Sequence, residues 1–439
     1  MDSSELASKC PYARVLQRNK DRAAETPNEK KKISSAESAE QGDILRKIKQ
    51  KRLVEPLYYG DYLKIPKLLD CQNPKCDEVG IDAHDEHLFI IIHQTYELWF
   101  KQILHELTSV VGIFKQKHIA ERDIFKAVSR LRRVVEIQRI LVSQLTVLET
   151  MTPLGFLEFR DLLFPASGFQ SVQWRMIENM LGLKQKKRVM YGHRSYCSYL
   201  NKSDASVVEN LEREDSIHDL VERWLERTPY VDCETFHFWD HYKKAIDGML
   251  VCDRESISRN DKIDEEKKKM QIAELAVTEK HFRSLFDGTV HEEMVRKGQR
   301  RLSQGAMQAA LCITLYQDEP IFHMPFQLLS TLLEVDECMT LWRYRHSLMV
   351  HRMIGARIGT GGSSGFHYLK STAVRHRIFI DFFNLSTFLI PRATLPDLPP
   401  DIKERLDFRH ASSSEGDSKK KKTESCPFAS ASSDEKRGP

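Results

Sequence analysis

The chain has 439 residues, with 67 Lys and Arg against 63 Asp and Glu, a formal net charge of +4. A hydrophobic share of 41% beside 30% charged residues supplies a sizeable core and a water-facing surface, and the interspersed signs reserve no face for nucleic acid. No run of about 18 apolar residues offers a membrane span, and nine scattered cysteines (Cys10, Cys71, Cys76, Cys197, Cys233, Cys252, Cys312, Cys338, Cys426), with no CxxC pair, argue against a disulfide framework or a zinc site.

Met1 to Lys20 is polar and lacks the apolar stretch of a secretory signal, so the expected compartment is the cytosol, with reduced thiols and neither nucleic acid nor membrane as partner. Residues 1–44, with lysines at 30–32 followed by Ser34, Ser35 and Ser38, bury too little apolar surface to offset ordering entropy. The same holds for residues 409–439, with Ser412 to Ser414 and Lys419 to Lys422. Both are expected to be disordered tails around one all-α domain over 45–408.

Inside that domain the periodicity is helical nearly throughout. From Asp82 to about Phe114, Leu88, Ile91, Ile92, Thr95, Trp99, Ile103 and Leu107 form one stripe, and Phe89, His93, Tyr96 and Phe100 a second. A helix apolar on two faces is buried. A second long helix is predicted from Ile124 to Leu148. Others follow over Gln170–Gly182, Ile217–Glu226, Asp264–Phe286, Ser303–Leu315, Val335–Gly355 and His376–Phe388. Arg254 to Lys269 is charged enough to read as an exposed loop and helix start. Period-2 alternation is nearly absent.

Several groups could carry chemistry. His84-Asp85-Glu86-His87 offers two histidines and carboxylates, the ingredients of a non-haem Fe(II) site, although Asp85 and Glu86 also suit a helix's first turn. His237, Asp240 and His241 pose the same choice. His93 lies in line with Phe89, Tyr96 and Phe100, as a core histidine or as part of a pocket. Arg160 shares a helix face with Phe156 and suits bidentate capture of a carboxylate, or a salt bridge. On the Val335–Gly355 helix, Val335, Met339, Trp342, His346, Met349 and Met353 make one apolar stripe, with Arg343, Arg345 and Arg352 on outer faces. His346 is then a core histidine or an axial ligand to haem iron. Gly359-Thr-Gly-Gly-Ser-Ser-Gly365 lacks the ending of a phosphate loop and follows a helix, so it reads as a mobile loop over a ligand, with Thr360 offering a hydroxyl.

Longer motifs are more specific. Tyr58-Tyr-Gly-Asp-Tyr-Leu63, the unbroken segment His84 to Gln102, Phe164-Pro-Ala-Ser-Gly-Phe-Gln-Ser171, Trp342-Arg-Tyr-Arg-His346, Gly359 to Gly365 and Asn384-Leu-Ser-Thr-Phe-Leu-Ile-Pro391 together resemble the tryptophan 2,3-dioxygenase family over about 55–393. The resemblance implies an O2-dependent cleavage of the indole C2–C3 bond of L-tryptophan to N-formyl-L-kynurenine, on one haem b per subunit that is ferrous when active, in a homotetramer. It implies His346 as the proximal iron ligand beside Trp342, and His93 as the distal partner of the indole N–H. Phe89, Ile90, Ile91, Ile92 and Phe156 would wall the indole, Arg160 would hold the substrate carboxylate, and Thr360 would meet its ammonium and carboxylate end. Tyr59 and Tyr62 would be lent to a neighbouring subunit, and Ser167 and Arg175 would lie near the haem propionates. Three positions depart from the family's commoner residues: Asp61 and Arg345, where asparagine is common, and Ile92, where threonine is.

Overall fold

A computed structural model describes residues 57–189, 195–227, 238–359 and 365–400. Among the described residues the regular structure is helical, with no strand, so the expected all-α class is the observed one. The helices that build the site are labelled in chain order: α1 (Asp85–Phe114), α2 (Glu121–Leu148), α3 (Pro153–Phe159), α4 (Val172–Leu181), α5 (Pro320–Ile354) and α6 (Phe366–Arg375). The expected tails lie outside the described residues.

α1, α2 and α5, of 30, 28 and 35 residues, form the framework: α5 packs along α2, and α2 along α1. The expected two-stripe pattern of α1 is realised. Ile92, Tyr96, Phe100, Ile103 and Leu107 are all buried, and each apolar side chain removed from water contributes about 1.5–3 kcal/mol. α2 begins where Ala120 leaves the helix in an extended conformation, with Glu121 and Asp123 in the first turn facing the positive end of the dipole.

Short connections then swing the chain back over this framework. Thr152 accepts a hydrogen bond from the Gly155 N–H (3.0 Å) and Pro153 takes the first helical position, so α3 starts there. Ser171 caps α4 by accepting from the Trp174 N–H (3.3 Å). Its hydroxyl also donates to Glu97 (2.7 Å), and the Gln173 amide donates to the same carboxylate (2.8 Å), which locks the start of α4 against α1. Gly182 ends α4 at φ +124°, where a Cβ would stand 2.8 Å from the Cβ of His218.

Three expected elements differ. The helix expected over Val335–Gly355 begins fifteen residues earlier, at Pro320. Pro325 would ordinarily signal a break, but it lies near the helix start, and the buried Leu328, Leu329 and Leu332 hold the segment on the core. Arg254 to Lys269 is not mainly loop. Its first residues finish the helix Phe238–Arg259, and Asp264 then caps Glu265–Arg283 through the Lys267 N–H (2.7 Å). The helix expected over His376–Phe388 starts only at Ile380 and continues from Leu385 as a 3-10 turn; the buried carboxylate of Asp336 accepts the N–H groups of Ile378 and Phe379 (3.0 Å each) and so holds that backbone outside the helix.

No single helix among the described residues is long and apolar enough to cross a membrane. The six described cysteines, Cys71, Cys76, Cys197, Cys252, Cys312 and Cys338, are free thiols.

Candidate functional site

A cavity of about 340 Å³ lies between α1, α2, α3, α4, α5 and α6, a volume within the usual range for small-molecule sites. Two histidines face it. His346 projects from α5 one turn after Trp342, and the two rings stack with centroids 4.9 Å apart and planes at 6°. Trp342 is itself held: its indole N–H donates to the Tyr96 hydroxyl (3.3 Å), that hydroxyl donates to the Leu141 carbonyl (2.5 Å), and Trp174 packs at 4.9 Å. The stack therefore fixes the plane of the His346 ring from α1, α2 and α4 together. Burial, and then the field of His93, push the His346 imidazole down to about 4. It is thus neutral at pH 7, and among the described residues its ring makes no hydrogen bond. A neutral, fixed imidazole with an uncommitted lone pair is the chemistry of a metal ligand.

His93 projects from α1. Its Nδ1 lies 2.7 Å from the Phe89 carbonyl oxygen. A carbonyl only accepts, so Nδ1 carries the proton and Nε2 keeps a lone pair. Burial lowers this ring as well, against smaller opposing contributions from the Phe89 carbonyl and Glu97. The ring has accessible surface, but that surface belongs to the cavity rather than to the outer face. An acceptor in that position suits a buried N–H.

Beside His93 stands an aromatic box. The Phe89 ring lies 4.0 Å from His93, 5.8 Å from Phe156 and 5.5 Å from Phe159. Ile92 closes the same wall. Ile90 and Ile91, expected on this wall, are half-buried and do not line the cavity, since a 100° step per residue turns them away from the Phe89–His93 face.

Arg160 lines the cavity with Phe156, not from a continuing helix but from the first position of a 3-10 turn after α3. Its side chain is 15% exposed, and Nη2 donates to the Ile358 carbonyl (2.5 Å). The contact to Asp161, at 3.8 Å with that carboxylate 95% exposed, is worth little. Gly359 and Gly365 border the cavity; Thr360 lies outside the described residues. Ser167 lines the cavity and caps the turn Gly168–Gln170. Tyr59 and Tyr62 are 77% and 69% exposed and do not line this chain's own cavity.

Arg175 lines the cavity and belongs to a group that the periodicity did not reveal. Glu178, fully buried, takes Arg175 (2.9 Å), Arg343 (2.8 Å) and Arg188 as hydrogen-bonded ion pairs. Arg343 was expected on an outer face and is instead buried. Its partner lies on α4, and burial of a guanidinium is tolerable only with such pairing. The available signal was the spacing of Arg175 and Glu178, three apart on an apolar helix. Arg345 points elsewhere and pairs with Glu149 (3.5 Å).

The two histidine-carboxylate groups do not converge. His84 and His87 are exposed, and Glu86 is committed to the N–H groups of Lys75 and Cys76 (2.8 Å each). His237 lies outside the described residues. Among the described residues no group of three or more His, Cys, Asp or Glu could hold a metal ion.

The buried imidazoles also set an acid limit. His218 and His376 are pushed down to about 3, mainly by burial, and His346 to about 4. The unfolded chain takes protons at these sites below about pH 6.5 while the folded chain does not, so stability is full above that pH and is lost as pH falls toward 3–4. Each site costs on the order of 2 kcal/mol by pH 5. Urea titrations of the cofactor-free protein should show midpoints that fall steadily from pH 7 to 5. A flat profile would contradict neutral burial of these rings.

Among the described residues, a fixed neutral imidazole, flat aromatic side chains beside it, a second imidazole offering an acceptor and guanidiniums in the wall make this an all-α protein with a small-molecule cavity suited to flat, aromatic, anionic ligands. Comparison with known proteins narrows that class. The sequence pattern of tryptophan 2,3-dioxygenase matches residues 47–389. The chain is 49% identical over 355 residues to the tryptophan 2,3-dioxygenase of Bdellovibrio bacteriovorus, covering 81% of this chain and 99% of that one. It is 47% identical over 384 residues to that of Dictyostelium discoideum (87% and 96%) and 46% identical over 369 residues to that of Mus musculus (82% and 90%). The chain belongs to the tryptophan 2,3-dioxygenase family and is an oxidoreductase of tryptophan catabolism.

Proposed function

We propose that this chain opens the indole C2–C3 bond of L-tryptophan with O2, giving N-formyl-L-kynurenine at the head of the kynurenine pathway, in the cavity between α1 and α5, with haem b held through His346. The observation that carries this reading is the neutral His346 ring, stacked on Trp342 and without a hydrogen bond among the described residues, across an apolar cavity from His93.

The residues present fit a haem: the His346 imidazole would hold its iron, Trp342 and Trp174 would offer flat packing surfaces, and Arg175 and Ser167 would partner its carboxylates. When bound, ferrous haem supplies the activation of O2. The protein's part is orientation and exclusion of water. His93 Nε2 accepts the indole N–H and sets the ring's direction, while Phe89, Ile92 and Phe156 wall its faces. Arg160 exchanges the Ile358 carbonyl for the substrate carboxylate, a stronger, charge-assisted partner. Thr360 meets the ammonium end. Ile90 and Ile91 support this wall through the backbone rather than by contact. The exposure of Tyr59 and Tyr62 supports their insertion into a neighbouring subunit of a homotetramer, and the free thiols support a cytosolic location.

Because His93 is an orienting acceptor and not a base, His93→Ala should keep full haem occupancy and lose about tenfold in kcat/KM, the worth of one hydrogen bond of about 1.4 kcal/mol. Complete loss of turnover would make it a base. For the function itself, haem-loaded protein under O2 with tryptophan should build up formylkynurenine absorbance; no growth of that band would contradict the reading.

A further inference from the structure

The cluster around Glu178 holds more positive charge than its own members use. Three guanidiniums, those of Arg175, Arg188 and Arg343, meet one carboxylate, leaving two positive charges in excess in a buried place. Burial alone would push Glu178 up, but Arg188, Arg175 and Arg343 outweigh it and hold the carboxyl well below its usual range. The charge is therefore fixed at pH 7. His376, whose Nε2 accepts the Val189 N–H (2.8 Å), stays neutral and adds nothing.

Donors are left over as well. Among the described residues the Nε atoms of Arg175 and Arg188 are buried without a partner, an expensive state that an anion in the cavity would relieve at Arg175. Arg175, Arg343 and Glu178 line the cavity; Arg188 does not. Arg343 sits three residues before His346 on α5, donates to the His376 carbonyl (3.2 Å), and lies over Trp174 (5.7 Å). The same carboxylate thus ties α4, α5 and the end of α6 together.

We propose that Glu178 is a positioning residue that holds Arg175 and Arg343, with Arg188 behind them, as one rigid seat for the carboxylates of the macrocycle, and that the cluster's net charge tunes the iron that His346 would hold. This rests on the proposed haem function. The excess positive charge suits an anionic ligand, and the carboxylate at the centre keeps mutually repelling cations within one cluster. Charge near a haem sets its potential, since positive surroundings favour the ferrous form.

The test compares haem-loaded wild type, Glu178→Gln, Glu178→Asp and Arg188→Gln. Glu178→Gln removes a negative charge and should raise the reduction potential, Arg188→Gln removes a positive one and should lower it, and Glu178→Asp should keep the wild-type value. Both neutralising variants should release haem to apomyoglobin at least tenfold faster. A packing defect would move both potentials the same way, and that result, or unmoved potentials with release within twofold of wild type, would overturn the proposal. If Glu178→Gln does not fold, Arg188→Gln decides alone: a fall supports the proposal and no fall overturns it. His346→Ala run alongside separates the two readings. Haem retained there refutes the ligand assignment, whereas haem lost there with unmoved potentials in the cluster variants refutes only the role of Glu178.

Discussion

His346→Ala should give a folded protein with no Soret absorbance and with tryptophan-cleaving activity at background. The expectation follows from the ring's surroundings. Its packing contribution is one stack on Trp342, worth about 1 kcal/mol, while Trp342 keeps its own anchors at Tyr96 and Trp174. Stability should therefore fall only by about 1–2 kcal/mol, within what a domain tolerates. Among the described residues on that stripe the other possible iron ligands are Met349 and Met353, and a thioether is a weaker partner for this role than imidazole. Far-UV dichroism, a melting curve and the absorption spectrum of one preparation test all three statements. Full haem occupancy in the variant would refute the assignment.

Arg160→Ala should raise KM for tryptophan and lower kcat/KM by roughly 30- to 3000-fold, the range that corresponds to about 2–5 kcal/mol for removing one member of a buried charge pair. kcat should change much less, because the proposed clamp would act on the ground state and the transition state alike. One structural detail shapes the control. The guanidinium also donates to the Ile358 carbonyl beside Gly359, so its loss could act through that backbone. An indole substrate without a carboxylate distinguishes the two: the variant should treat it as wild type does if the clamp dominates, and should lose activity toward it if the 358–359 segment does. Unchanged KM for tryptophan would remove Arg160 from the site.

Legibility in the sequence followed length scale. α1 and the end of α5 were readable because apolar spacing persists over many turns, and His93 and His346 fell on the right faces for that reason. The segment Ile217–Glu226 was read to the residue, since Ser216 caps it by accepting the Asp219 N–H (3.2 Å) while the Asp219 carboxylate accepts the Ser216 N–H in return. What escaped was long-range pairing. No local rule places Arg343 against Glu178, 165 residues away, so a guanidinium next to Trp342 read as solvent-facing. The late helix start at Ile380 escaped for the same cause, as its determinant is Asp336, 42 residues before Ile378. The start of α5 was hidden by Pro325, whose cost is offset by burial that periodicity alone did not weigh. For the site residues, apolar stripes gave facing but not identity; the roles came from long motifs shared with the family.

The most direct test of the account is the absorption spectrum of the reduced, haem-replete protein with and without L-tryptophan. A Soret band of a histidine-ligated haem that shifts on addition of tryptophan is expected, because in the proposed arrangement the substrate ring would lodge against His93, across the cavity from His346. A protein that takes up no haem, or whose band ignores tryptophan at saturating concentration, would contradict it.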